Sequence, residues 1–163
     1  MLSESDFKAV VENAPLFAID LVVLNDKHEL LIGLRKNAPA KGYWFVPGGR
    51  VFKGESQQEA FARITKQELG CAFNLSEAQL LGVFDHFYED SVFGNDVSTH
   101  YINTPYLILL KEQGLQLPVE QHSNYKWESL QGVVEDNSVH SFSKVFLSVL
   151  NKHLSVEPGK FDA

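Results

Sequence analysis

The segment Gly49-Arg-Val-Phe-Lys-Gly-Glu55-Ser-Gln-Gln-Glu59-Ala-Phe-Ala-Arg63-Ile-Thr-Lys-Gln-Glu68-Leu-Gly70-Cys71 decides how the rest of the chain is read. Ser56, followed three residues later by Glu59, has the form of a capping box, in which two side chains satisfy backbone N–H groups at the start of a helix. Ala60, Phe61, Ile64 and Leu69 supply an apolar stripe at helical spacing, and Gly70 is placed to stop the helix. Immediately upstream, Tyr43-Trp-Phe-Val46 is a short aromatic run halted by Pro47-Gly48-Gly49. That pattern predicts a strand entering a tight backbone bend.

Working outward, Ser5 and Asp6 ahead of Phe7, Val10 and Val11 predict a short N-terminal helix ending near residues 13–15. Residues 16–24 and 29–34 are β-rich, and Asn25-Asp26 between them reads as the turn of a hairpin. Residues 35–42 are polar and predict a loop. Strands are predicted over 79–88 and 101–110, separated by the polar, glycine-containing loop 89–99, which is read as a substrate lid. Residues 125–127 predict a short strand, and Phe142, Val145, Phe146, Val149 and Leu150 a C-terminal helix. Hairpins and helices without regular βαβ alternation predict the α+β class, with helices on a mixed sheet and residues 1–163 as a single domain.

The composition narrows the function. The 163 residues carry 14 Lys plus Arg against 21 Asp plus Glu, a formal charge of -7, and the isoelectric point is near 5.3. So acidic a chain is not expected to bind nucleic acid, whose phosphates are held mainly by Lys and Arg. The longest apolar run, residues 16–24, is broken by Asp20 and is about half the length needed to span a bilayer. A lone cysteine and an acidic N-terminus without an apolar leader point to the cytoplasm. A small phosphorylated ligand is allowed, provided local arginines or a metal offset the charge.

From Gly49 the chain reads Gly-x5-Glu55-x7-Arg63-Ile64-Thr65-Lys66-Gln67-Glu68-Leu69-Gly70-Cys71. This resembles the Nudix box, Gly-x5-Glu-x7-Arg-Glu-U-x-Glu-Glu-x-Gly-U with U apolar. The resemblance implies a Nudix fold, an α/β/α sandwich with a mixed β-sheet, whose loop and helix hold divalent cations against a substrate diphosphate. In the full box three helix glutamates share one face at i, i+3 and i+4. Here those positions are Ile64, Gln67 and Glu68, so one carboxylate remains. One Mg²⁺ is then expected, with the base supplied from elsewhere. Arg63 is expected to brace the loop by pairing with Glu55, Glu55 is read as structural, and Cys71 as a small buried apolar residue. Trp44, Phe45 and Trp127 are read as packing residues.

One Nudix subgroup, the GDP-mannose mannosyl hydrolases, keeps only the last helix glutamate. The segments Gly42-Tyr-Trp-Phe-Val-Pro-Gly-Gly-Arg50, Asp85-His-Phe-Tyr88, Thr99-His-Tyr101 and Glu120-Gln-His122, with Tyr125 and Trp127, are similar to that subgroup. The similarity implies hydrolysis of GDP-mannose, with GDP-glucose as a second substrate, by water attack at the anomeric carbon with inversion. It implies Mg²⁺ ligation by Glu68, the Gly48 carbonyl and the Gln121 side chain, with His122 as general base. An imidazole of ordinary pKa about 6.5 suits that task near neutrality. Arg35 and Arg50, on the loops flanking the Tyr-Trp-Phe-Val strand, are expected to bind the diphosphate, and Tyr101 to donate its hydroxyl to it. Asp20, a carboxylate in an apolar strand, must be paired or face a polar cavity, where it holds Arg35 or a sugar hydroxyl. His86 and His100 are given supporting roles toward substrate or leaving group. A homodimer is also implied. Three alternatives stay open: a nucleotide-sugar pyrophosphatase acting at phosphorus, a different sugar or base in the substrate, and a nucleotide-sugar sensor without catalysis.

Overall fold

The computed structural model describes residues 2–110, 115, 117 and 122–156. A helix α1 (Glu4–Asn13) is capped by Ser3, whose hydroxyl accepts from the Asp6 backbone N–H at 3.1 Å, two residues ahead of the Ser5-Asp6 start expected. It leads into β1 (Leu16–Leu24), which is apolar on both faces apart from Asp20 and is buried almost throughout. Such a strand requires a layer on each side. Alternate side chains supply them: Ile19, Leu21 and Val23 belong to one core and Val22 and Leu24 to the other.

The hairpin forms as predicted. The Asn25 side chain oxygen accepts backbone N–H groups from Lys27 (3.0 Å) and Glu29 (2.9 Å), turning the chain into β2 (Glu29–Arg35). Beyond the Leu24–Leu30 pair the two strands find different partners. β2 pairs antiparallel with β3 (Trp44–Phe45). The Pro47-Gly48-Gly49 stretch is not simply a bend: Gly48–Arg50 forms a strand, β4, antiparallel to residues 18–20 of β1. The sheet therefore opens between β1 and β2 at the end where the glycine segment inserts.

The helix predicted from the opening segment is α2 (Gln57–Leu69). Both arms of its capping box are made, and Gly70 terminates it at φ 80°. Ala60, Phe61, Ile64 and Leu69 are fully or almost fully buried against Ile19, Leu21 and Val23. Each large apolar side chain so buried contributes roughly 1.5–3 kcal/mol.

The predicted strand at 79–88 is two, β5 (Gln79–Leu80) and β6 (Phe84–Tyr88), both paired with β7 (Thr99–Leu109). β7 lies parallel to β1 for nine residues, from Leu16–Tyr101 to Leu24–Leu109. The intervening loop folds back on α1: Ser91 and Gly94 exchange backbone hydrogen bonds, and Phe93 packs edge-on against Phe7 at 5.4 Å. β8 (His122–Ser129) is longer than the three residues predicted and pairs with β2. A short helix α3 (Leu130–Glu135) capped by Ser129 was not foreseen, since six residues carry too little periodicity to read. The C-terminal helix, α4 (Leu147–Val156), starts later than expected because Ser141–Ser143 forms a 3₁₀ turn. α3 and α4 cover the face opposite α2, through Val133, Leu147 and Leu150. The result is an α+β sandwich about one mixed sheet.

Two packing expectations fail. Cys71, one residue past the helix terminator, is exposed rather than buried, and Trp127 keeps 36% of its surface. No helix among the described residues is long and apolar enough to cross a membrane.

Candidate active site

Where β1 and β2 separate, a cavity of about 350 Å³ is lined from both sides of the sheet. Its outer wall is braced by one guanidinium. Arg63 donates through Nε and an Nη to the two oxygens of Glu55 (2.5 and 2.9 Å), to the Arg50 carbonyl (2.8 Å) and to Gln67 Oε1 (3.0 Å). Glu55 also accepts the Phe52 backbone N–H. Its carboxyl is held below the usual range by the Arg63 hydrogen bonds, outweighing the burial that raises it. The bracing role expected for this pair is what the geometry gives, as two parallel bonds between planar groups.

The same helix turns Glu68 into the cavity, where its carboxylate is 3% exposed. The two box positions that lack carboxylates have other partners. Ile64 is 1% exposed in the α2 core and packs beneath Gly49, while Gln67 is bonded to Arg63. Gly48 also lines the cavity. A Cβ there would fall 2.5 Å from the Ile19 carbonyl and 2.7 Å from Asp20 Oδ1, so only glycine lets β4 approach β1 this closely. A buried carboxylate beside exposed backbone suits a hard, oxygen-seeking divalent cation. Glu68 and Gly48 fit that group, and among the described residues no cluster of three or more His, Cys, Asp or Glu converges. Gln121, the third expected ligand, lies outside the described residues.

His122, the expected base, is 1% exposed. Its Nδ1 lies 3.2 Å from the Tyr125 hydroxyl and 3.7 Å from Glu68 Oε2. Burial, with Arg35 and Lys36 nearby, pushes the imidazole down to about 4. It is neutral at pH 7, and the approach to Glu68 is not an ion pair. Nε2 is buried without a hydrogen-bond partner among the described residues. The ring packs over Gly33, where a Cβ would come within 2.5 Å of it. His122 stands behind Glu68 and is not among the described residues lining the cavity.

The cavity floor is polar. Asp20 is 6% exposed, and burial drives its carboxyl up to about 7 against a hydrogen bond from Asn103 and the charge of Arg35. Tyr101 and Tyr88 line the same floor. Burial raises both phenols above their ordinary value, so they remain protonated donors. His86 stacks on Phe142 with ring centroids 4.3 Å apart, and burial pushes its imidazole down to about 4. Arg35 and Arg50 both face the cavity, although each ends a strand rather than sitting in a loop. Arg35 Nε donates to the Pro39 carbonyl at 2.9 Å, and the Arg50 guanidinium lies 4.0 Å over the Phe7 ring.

His100 is a correction. It bonds to Asp85 at 2.9 Å and stacks on exposed Phe87, on the outside of the sheet and away from the cavity. The loop 89–99 contributes Val92 to the cavity wall. Asn103 and Gly33 went unread. The signal for Asn103 was available, since a buried amide in an otherwise apolar strand poses the same question as Asp20. Gly33 has no local signal, because its reason is the ring of His122 on another strand.

A family model described as NUDIX domain matches residues 15–149. The chain belongs to the Nudix family. Its fold and the braced loop and helix are those of a Nudix hydrolase. The low-salt glycan biosynthesis protein Agl8 of Haloferax volcanii is 38% identical over 141 residues, covering 82% of this chain and 86% of that protein. A MutT NUDIX hydrolase from Burkholderia pseudomallei superposes with a TM-score of 0.68 at 25% identity, over 85% of this chain and 99% of that one. The NUDIX domain of Shewanella oneidensis NrtR, crystallised with ADP ribose, superposes with a TM-score of 0.65 over 94% and 99%; at 18% identity it speaks for the fold alone.

Proposed function

We propose that this Nudix protein hydrolyses a nucleoside-diphosphate sugar, GDP-mannose first among them, at the anomeric carbon with inversion. The carrying observation is the chemistry of the three carboxylate positions of the box: Ile64, Gln67 and Glu68 all line the cavity, but Glu68 alone brings a carboxylate, Ile64 packing into the α2 core and Gln67 being bonded to Arg63. A site with one helix carboxylate is suited to hold a cation on a leaving group and poorly suited to generate a nucleophile beside phosphorus. One likeness supports a sugar nucleotide: the Haloferax relative, 38% identical, is named for glycan biosynthesis.

In this reading Glu68, the Gly48 carbonyl and Gln121 would hold one Mg²⁺, which would offset charge developing on the diphosphate. Arg35 and Arg50 hold the same group from the strand ends, and Tyr101 donates to it. Asp20 and His86 contact the sugar from the floor. The proton of the attacking water goes to His122, which is neutral at pH 7 and is reached past Glu68, 3.7 Å from its Nδ1, rather than from the cavity wall itself. The new C–O bond forms as the anomeric C–O bond to the β-phosphate breaks, and its electron pair leaves with GDP. Incubation of GDP-mannose with the protein and Mg²⁺, followed by product separation, tests the reading. GDP and mannose are expected; GMP and mannose 1-phosphate would make it an ordinary Nudix pyrophosphatase.

A further inference from the structure

Three buried polar atoms on residues of the cavity floor have no hydrogen-bond partner among the described residues: Asp20 Oδ2, His86 Nε2 and Asn103 Oδ1. The first two belong to residues already read as contacting substrate. Asn103 has no such role, yet its surroundings define one. It is 4% exposed on β7, two residues from Tyr101 and therefore on the same face, and the parallel register sets it beside Ala18.

The side chain of Asn103 bonds to Asp20. An amide has a donor end and an acceptor end, and since Oδ1 is the end without a partner, it is Nδ2 that donates to Asp20. That leaves Oδ1 as a buried acceptor, which is costly unless a donor reaches it. The substrate's phosphates carry no donor to offer at neutral pH and are drawn to the arginines at the strand ends. The hydroxyls of a sugar are donors of the right size, and the floor beside Asp20 and His86 is where a sugar would lie.

We propose that Asn103 Oδ1 accepts a hydrogen bond from a hydroxyl of the sugar, with Asp20 fixing the amide's orientation, so that Asn103 recognises the glycosyl half of the substrate. This rests on the nucleotide-sugar reading above. It differs from a structural role in one respect: its effect falls on the sugar and spares the nucleotide.

The test compares wild type with the Asn103→Leu variant on GDP-mannose, GDP-glucose, UDP-glucose and ADP-glucose, each with Mg²⁺, and measures inhibition by the matching nucleoside diphosphate. For the sugar nucleotides that wild type cleaves, N103L is expected to lower kcat/KM at least tenfold while the inhibition constant of GDP, UDP or ADP stays within twofold. An unchanged kcat/KM overturns the proposal. So does parallel loss of both, which means general disruption of the cavity. Should N103L fail to fold, Asn103→Ala is read by the same criteria. Wild type that cleaves none of the four overturns the functional reading and this inference with it; wild type that cleaves one, with an undiscriminating variant, overturns this inference alone.

Discussion

Glu68 Oε2 and His122 Nδ1 lie 3.7 Å apart, and both side chains are buried. Two independent elements create the pair. α2 turns Glu68 inward because its apolar stripe docks on β1, and β8 delivers His122 because it pairs with β2, with Arg35 opposite His122 in the register. The metal side and the proton side of the proposed site thus meet where the sheet divides, which lets two single substitutions separate their roles.

His122→Ala is expected to lower kcat about 10²-fold or more, the usual contribution of a general base, while the Mg²⁺ concentration for half-maximal activity stays within about twofold. Glu68→Gln is expected to raise that concentration and lower activity together. Titrating activity against Mg²⁺ for both variants checks this. Near-normal turnover by His122→Ala removes it as the base, and unchanged Mg²⁺ demand in Glu68→Gln removes Glu68 as a ligand.

Arg63 ties the glycine loop, Glu55 and Gln67 into one unit. Arg63→Ala leaves Glu55 without its partner and is expected to cost about 2 kcal/mol. For a chain of this size that is a fall of roughly 4–8 °C in Tm by thermal denaturation. Arg63→Lys should recover less than half of the loss, since an ammonium cannot make two parallel bonds to one carboxylate. Full recovery would show that charge alone holds the loop.

Acid should destabilise the fold through His86. Burial, reinforced by His140 and opposed by Asp85, lowers its pKa from 6.5 to about 4. Between those values the unfolded chain takes up a proton that the folded one refuses, so this contribution is complete above pH 6.5 and is lost as pH falls toward 4. The full loss is on the order of 3 kcal/mol. His86→Phe, which can keep the stack on Phe142, should show a correspondingly flatter fall in urea midpoint from pH 6.5 to 4.5. Identical pH profiles for variant and wild type would contradict this account.

The opening segment made the fold legible because its signals are local: Ser56 and Glu59 cap, Gly70 stops, and Phe61 and Ile64 mark the buried face. The resemblance of its spacing then named Glu68, Arg63 and Glu55 in their observed places. Pairing between distant strands was not legible, so Gly48–Arg50 read as a bend and β8 as three residues. The same limit explains the two histidines misplaced or displaced by the reading. His100 looked equivalent to His86 in sequence, but the strands β6 and β7 turn one outward and the other inward. His122 was found by resemblance, while its seat over Gly33, behind Glu68, follows from a register that no single segment encodes.

Attack at carbon is the step that sets this reading apart from phosphorus chemistry, and the position of an isotope distinguishes the two. GDP-mannose is hydrolysed with Mg²⁺ in ¹⁸O-labelled water, and the products are weighed by mass spectrometry. Label is expected in free mannose and not in GDP; label in GDP, GMP or mannose 1-phosphate would place the attack at phosphorus and rule out attack at carbon.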